Sequence, residues 1–209
     1  NRQIFSGVRV HQMQPRKSNK KSSSEKEFNA LCTGKVVQSL IKLDLSPMII
    51  FCFGRKECDE LPNSPHLRDM CYINDSEAEF VNNCIDVSIE KLSESDRLLP
   101  QIETLRHLLV RGIAVHHGGL IPLMKELIEV LFQSGYIKVL IATETFAMGL
   151  NMPARTVLFH SLTKFDGVQR RLLNGGEFIQ MSGRAGRRNN DTFGAVVITL
   201  NGELDHDQI

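Results

Sequence analysis

The run "QMSGRAGRR", residues 180–188, sets a glutamine, three arginines and two glycines in a stretch that reads as helix over 176–187. At about 100° per residue, positions three, four and seven apart share nearly one line down a helix. The spacing therefore predicts two rows, with Ile179, Gly183 and Gly186 on one and Gln180, Arg184 and Arg187 on the next. Arginine's planar, permanently charged fork suits phosphate oxygens better than lysine's point charge does. Like charges at i and i+3 repel, so such a row needs an anion or full solvation to offset it. Each glycine costs roughly 1 kcal/mol relative to alanine in a helix interior, so the bare row is expected to let the backbone lie close against a neighbour. The chemistry this predicts is recognition of a phosphate group by donors held in fixed positions. The plainer alternative, a basic last turn complementing the helix dipole, explains neither the glutamine nor the glycines.

Three further stretches join a strand to a helix through residues that leave backbone N–H groups open. "ATETFAMGLNMP" (142–153) follows directly on a strand, and a helix N-terminus there favours phosphate; Thr143 as an ordinary N-cap is the competing reading. "IIFCFGRKECDEL" (49–61) reads as a buried strand, a tight Gly54 turn and a helix, a common arrangement in α/β proteins. "VHHGGL" (115–120) invites a metal reading, but adjacent strand residues point to opposite faces and no third ligand sits at the right spacing. No metal site is expected, and a packed or capping histidine is the simplest role.

These loops need a scaffold. "MIIFCF" (48–53), "GIAV" (112–115), "KVLIAT" (138–143), "TVLFH" (156–160) and "AVVITL" (195–200) are short and almost continuously apolar, as strands buried on both faces are. Helix candidates lie near 28–43, 55–61, 76–91, 100–110, 120–134 and 176–187. Strand and helix alternate, which predicts an α/β fold, a mostly parallel sheet with helices on both faces. In "LIPLMKELIEVLFQS", Lys125, Glu129 and Gln133 recur every fourth residue and are expected to form a narrow solvent stripe.

Composition bounds the rest. At 209 residues and 42% hydrophobic, one large α/β domain with a substantial core is expected. The net charge of +1 conceals local imbalance: residues 1–30 hold seven Lys/Arg against two Asp/Glu, and 57–104 hold twelve Asp/Glu against three Lys/Arg. The first segment, serine-rich over 11–27, is expected to be a flexible basic linker after a short N-terminal strand, with solvation favoured over nucleic-acid contact. The second predicts an acidic surface, unsuited to phosphate. Five cysteines without CxxC spacing indicate neither a disulfide framework nor a zinc ribbon, and a reducing compartment is expected. Apolar runs are strand-sized, so neither a membrane span nor a signal peptide is expected. The opening "NRQIF" and the ending "LDHDQI" suggest a piece of a longer chain.

"QMSGRAGRR" resembles motif VI of superfamily 2 helicases, "ATETFAMGLNMP" motif V and "IIFCFGRKECDEL" motif IV. With "KFDG" (164–167) and the long run 99–159, the chain from about residue 31 is similar to the superkiller-like DExH RNA helicases. The resemblance implies that 31–209 is the second RecA-like domain of such a motor, a three-layer fold. It implies that Arg187 is the arginine finger on the γ-phosphate, that Arg184 supports the phosphate charge, that Gln180 links nucleotide to the facing domain, and that Gly149 and Asn151 sit toward the nucleotide. It implies nucleic-acid contacts from Phe53, Gly54, Arg55, His117, Gly118, Thr143, Glu144 and Thr145, with backbone amides ahead of Arg55. The implied ligands are ATP with Mg²⁺, held mainly by the family's first RecA-like domain, and RNA. "QMSG" and "KFDG" incline to the nuclear branch that feeds RNA to the exosome with a poly(A) polymerase complex, over the cytoplasmic mRNA-decay branch. A monomer is expected.

Two features depart from that pattern. Neither a Walker A loop nor a DExH pair is present, since "TGKVV" lacks the upstream glycine and "CDELP" is not DExH, so the chain alone is expected not to hydrolyse ATP. The family continues motif VI as "RRG" with an Asp shortly after, whereas this chain reads "RRNND". Asn189 tolerates a left-handed backbone, so the helix is expected to end there. Competing readings are a scaffold that binds proteins through the acidic surface, and a DNA-preferring relative of the same fold, because backbone contacts do not identify the sugar.

Overall fold

The computed structural model describes residues 23–199, with side chains from residue 30 onward. The expected N-terminal strand and most of the linker, like residues 200–209, lie outside the described residues. Helix α1 (Ser23–Lys42) begins inside the serine-rich stretch, so the polar segment 11–27 ends as helix and not as linker.

All five expected strands form one parallel sheet. They are β1 (Met48–Phe51), β2 (Ile113–His116), β3 (Val139–Ala142), β4 (Thr156–Phe159) and β7 (Ala195–Ile198), in the order β2-β3-β1-β4-β7. The central strand β1 is in register with both neighbours, Ile50 facing Ile141 of β3 and Leu158 of β4. Every residue of β1 to β4 is buried, which is why their sequences are continuously apolar and not alternating.

Helices α2 (Arg55–Glu60), α3 (Asp75–Ile89), α4 (Glu94–Arg97), α5 (Pro100–Leu109) and α6 (Pro122–Gln133) precede and follow the edge strand β2. Both α5 and α6 pack on β2, and α3 bridges the two. The five cysteines are free. Among the described residues no helix is long and apolar enough to cross a membrane, and no group of three or more His, Cys, Asp or Glu could hold a metal ion.

The solvent stripe of α6 falls elsewhere than expected. Met124, Leu127, Ile128, Leu131 and Phe132 are buried, while Glu126, Val130 and Gln133 are exposed. Glu129 is diverted by the buried His116, whose Nε2 lies 2.8 Å from its Oε1. Burial lowers the His116 pKa, although Glu129 pulls the other way. Because the folded value lies below the unfolded one of about 6.5, the stability this neutral ring contributes is present above about pH 6.5 and is lost as pH falls towards the folded value. Urea denaturation between pH 7.5 and 5.5 is expected to show stability dropping by up to about 1.4 kcal/mol per pH unit. In His116→Gln that slope is expected to flatten.

Candidate nucleotide and nucleic-acid faces

Parallel strands release their loops at one edge of the sheet, and the edge beyond β1, β2 and β3 carries every residue expected to touch nucleic acid. Phe53, Gly54 and Arg55 follow β1, His117 and Gly118 follow β2, and Thr143, Glu144 and Thr145 follow β3. Arg55 and the glycine turn meet: a Cβ added to Gly118 would lie 3.6 Å from Arg55 Nη2, and one on Gly119 would lie 3.5 Å from Arg55 Cδ. Arg55 and Gly118 are exposed.

Several of these groups are already engaged. The Phe53 N–H donates to Glu57 Oε2 at 3.2 Å, and Glu57 Oε1 stands 3.4 Å from Nε2 of the buried His160, whose Nδ1 is 2.7 Å from the Thr33 hydroxyl. The His117 ring is buried, with Nδ1 accepting from the Gly119 N–H at 3.1 Å and Nε2 lying 3.0 Å from Asp59 Oδ1. Since Nδ1 accepts, the neutral ring carries its proton on Nε2 and donates to Asp59. His117 thus shapes the loop by its side chain and leaves the outward surface to Gly118. Thr143 stands at the N-cap of α7 (Glu144–Gly149), but its hydroxyl pairs with that of Thr145 at 2.9 Å instead of capping the helix.

Glu144 belongs to a charge chain that sequence reasoning missed. The Lys164 ammonium, at 10% side-chain exposure, bonds Glu144 at 2.6 Å and Glu177 at 2.9 Å, and Arg171 grips Glu177 through two bonds at 2.8 and 2.9 Å. Lys164 and Arg171 come from a hairpin, β5 (Thr163–Phe165) and β6 (Arg170–Leu172), that periodicity did not predict because three-residue strands show none. Arg171, then Lys164, hold the Glu177 carboxyl well below the usual carboxylate range. Burial works against the Lys164 charge, yet its two carboxylate partners outweigh it and raise its pKa.

The phosphate-binding run departs from its expected geometry. Helix α8 spans Gly175–Ser182, opened by a capping box between Asn174 and Glu177, and it stops at Gly183. Arg184 and Arg187 therefore lie beyond it, and the two helical rows do not exist past residue 182. Phe178 and Met181 form its inward face, Phe178 stacking on Phe159 at 5.0 Å. Ile179 is 70% exposed, so the member of the expected close-packing row that lies within the helix faces outward.

The close approach occurs in the loop after the helix. Gly186 adopts φ +91°, and a Cβ on Gly194 would fall 2.4–2.5 Å from the backbone of Ala185 and Gly186. The loop is also laced to the start of β4: Ala154 N–H donates to Arg184 O at 2.9 Å, and Gly186 N–H donates to Ala154 O at 2.7 Å. Asn189 is left-handed at φ +70°, as its sequence suggested, but it shapes a turn in this loop and does not end the helix.

Each arginine has its own partner. Arg184 donates to Asn151 Oδ1 at 2.8 Å and to Ala147 O at 2.5 Å, joining the expected nucleotide residues of two motifs. Arg187 donates from N, Nε and Nη2 to the Asp191 carboxylate at 2.8, 2.9 and 2.8 Å. That pairing holds Asp191 below the usual carboxylate range, against its burial. Gln180 is exposed on α8, and a Cβ on Gly149 would meet nothing within 4 Å. Of the residues expected at nucleotide, Arg184 and Asn151 are in contact and Arg187 lies in the same loop, laced to the opening of β4, whereas those expected at nucleic acid follow the closing ends of β1, β2 and β3. The six residues of α7, about 9 Å of helix, connect the two.

The helicase conserved C-terminal domain family matches residues 80–189. The antiviral helicase SKI2 of Saccharomyces cerevisiae is 52% identical over 164 residues, 78% of this chain and 13% of the relative. The human exosome RNA helicase MTR4 is 46% identical over 170 residues, 81% of this chain and 16% of the relative. An uncharacterized helicase of Schizosaccharomyces pombe is 45% identical over 191 residues, 91% of this chain and 18% of the relative. The chain therefore spans less than a fifth of the length of these curated relatives. It belongs to the helicase C-terminal domains of the SKI2/MTR4-like DExH RNA helicases.

Proposed function

We propose that this helicase C-terminal domain is the second motor half of an ATP-dependent 3′–5′ RNA helicase that feeds RNA to the nuclear exosome. The observation that carries the proposal is the Arg184–Asn151 bond, because it ties the arginine loop to the far end of the helix that Thr143 begins. Movement of the arginine loop at one edge of the sheet is then passed through α7 to the nucleic-acid edge.

The donor set fits the terminal phosphates of a nucleotide. Gln180 is exposed, and Arg187 keeps unspent N–H groups after its pairing with Asp191. On this reading Mg²⁺ is held by the first RecA-like domain of the full-length protein. When bound there, ATP with Mg²⁺ supplies the phosphoryl transfer. Arg187 offsets the negative charge that grows in the transition state, Arg184 adds charge and holds Asn151, and Gln180 reaches across to the facing domain. Thr143, Thr145, Gly118 and the turn at Gly54–Arg55 hold backbone phosphates, contacts without sequence information. The partners on this reading are RNA, the first RecA-like domain, the exosome and a poly(A) polymerase complex, and the location is the nucleus.

A cytoplasmic mRNA-decay helicase is the second reading, favoured by the 52% identity to SKI2. Strand displacement by the full-length protein tests the activity: duplexes with a 3′ RNA overhang are expected to unwind, and those with a 5′ or DNA overhang to remain paired. Unwinding from 5′ overhangs, or equal action on DNA, overturns the assignment. Fractionation of the tagged protein into nucleus or cytoplasm separates the two branches.

A further inference from the structure

We infer that Asp191 is a positioning residue that sets the Arg187 guanidinium for phosphoryl transfer. The inference rests on the reading of Arg187 as the arginine finger. The Asp191 side chain is only 2% exposed, whereas that of Arg187 is 30% exposed. Its carboxylate takes the Nε–H and one Nη2–H, together with the Arg187 backbone N–H. A guanidinium has five N–H donors in one plane, so three remain, two on Nη1 and one on Nη2. Asp191 therefore occupies one edge of the fork and presents the other.

The loop is built to bring that carboxylate back. The N–H groups of Asn190 and Asp191 both donate to Arg187 O, at 3.1 and 3.0 Å, and the left-handed Asn189 turns the chain between them. Arg155 Nε approaches Asp191 from another side at 4.0 Å, and Arg155 Nη1 also reaches Asp44 at 3.2 Å. Arg155 thus stands between the Asp191 and Asp44 carboxylates, while Asp191 orients Arg187 along one edge of its fork and leaves the other edge open to a phosphate. Donors fixed in advance stabilise a transition state without reorganising, and a misplacement of about 1 Å can cost roughly 100-fold in rate.

The test is steady-state RNA-stimulated ATPase of the full-length helicase that carries this chain, with Asp191→Asn, Arg187→Ala and the double variant. Asn keeps the shape of Asp, and thermal midpoints report folding. Asp191→Asn is expected to lower kcat about 10- to 100-fold while KM for ATP and the half-saturating RNA concentration change less than about 3-fold, an effect confined to the chemical step. In the Arg187→Ala background the same substitution is expected to lower kcat no further, because the group it positions is gone. Unchanged kcat in Asp191→Asn overturns the inference, as does a full further loss on top of Arg187→Ala, which marks a general structural role. Wild-type kcat in Arg187→Ala removes the finger reading itself and the inference with it, and that result is legible without Asp191.

Discussion

Arg187→Ala in the full-length helicase is expected to lower RNA-stimulated kcat by about 10³- to 10⁵-fold, or about 4–7 kcal/mol of transition-state stabilisation. RNA affinity is expected to stay within a few-fold. The asymmetry follows from position, since Arg187 lies in the loop laced to the opening of β4, while the groups assigned to RNA lie beyond the closing ends of β1, β2 and β3. It also follows from chemistry: Arg187 is paired with Asp191, so its ground-state charge is already partly compensated. Arg187→Lys keeps the charge but loses the planar fork, and it is expected to recover little. ATPase titrations with RNA and fluorescence anisotropy on labelled RNA measure the two effects separately.

Gly194→Val is expected to lower stability by about 3 kcal/mol, a fall of roughly 6–12 °C in Tm for a domain of this size. The atoms an added Cβ would meet are Ala185 C at 2.4 Å, Ala185 O at 2.5 Å and Gly186 N at 2.5 Å. All three are backbone, so no side chain can swing aside. The loop must move instead, breaking the bonds between Ala154 and the carbonyl of Arg184 and the N–H of Gly186. Loss of ATPase is expected to accompany the loss of stability, because those bonds set both arginines. Gly149→Ala is the control for a glycine substitution, with nothing within 4 Å of the new methyl group and a stability change within about 1 kcal/mol. Differential scanning calorimetry of the purified domain distinguishes the two.

The β-sheet was legible because strands buried on both faces announce themselves as runs such as "MIIFCF" and "KVLIAT", and the expected alternation with helices set its parallel class. The residue types of the phosphate loop were legible too, but not its geometry. Helical spacing treats "FIQMSGRAGRR" as one rod, and nothing in periodicity reports that Gly186 takes φ +91° or that Gly194, eight residues on, presses against it. Asp191 was visible as the family's following Asp, yet its grip on Arg187 depends on the turn at Asn189, a tertiary fact. The burial of His117 fits the packed or capping role its sequence suggested, but its partner Asp59, 58 residues away, was not legible. The chain Glu144–Lys164–Glu177–Arg171 joins three separate segments, and periodicity within any one of them does not report it.

The central claim is that this chain presents Arg187 to a nucleotide held by a neighbouring RecA-like domain. It is tested most directly by a crystal structure of the full-length helicase with RNA and ADP–aluminium fluoride, a mimic of the transferring phosphoryl group. The account predicts an Arg187 guanidinium nitrogen at about 3 Å from fluoride, with Asp191 still on its other edge. An Arg187 side chain turned away from the mimic, with no donor from this domain at the fluoride, would contradict it.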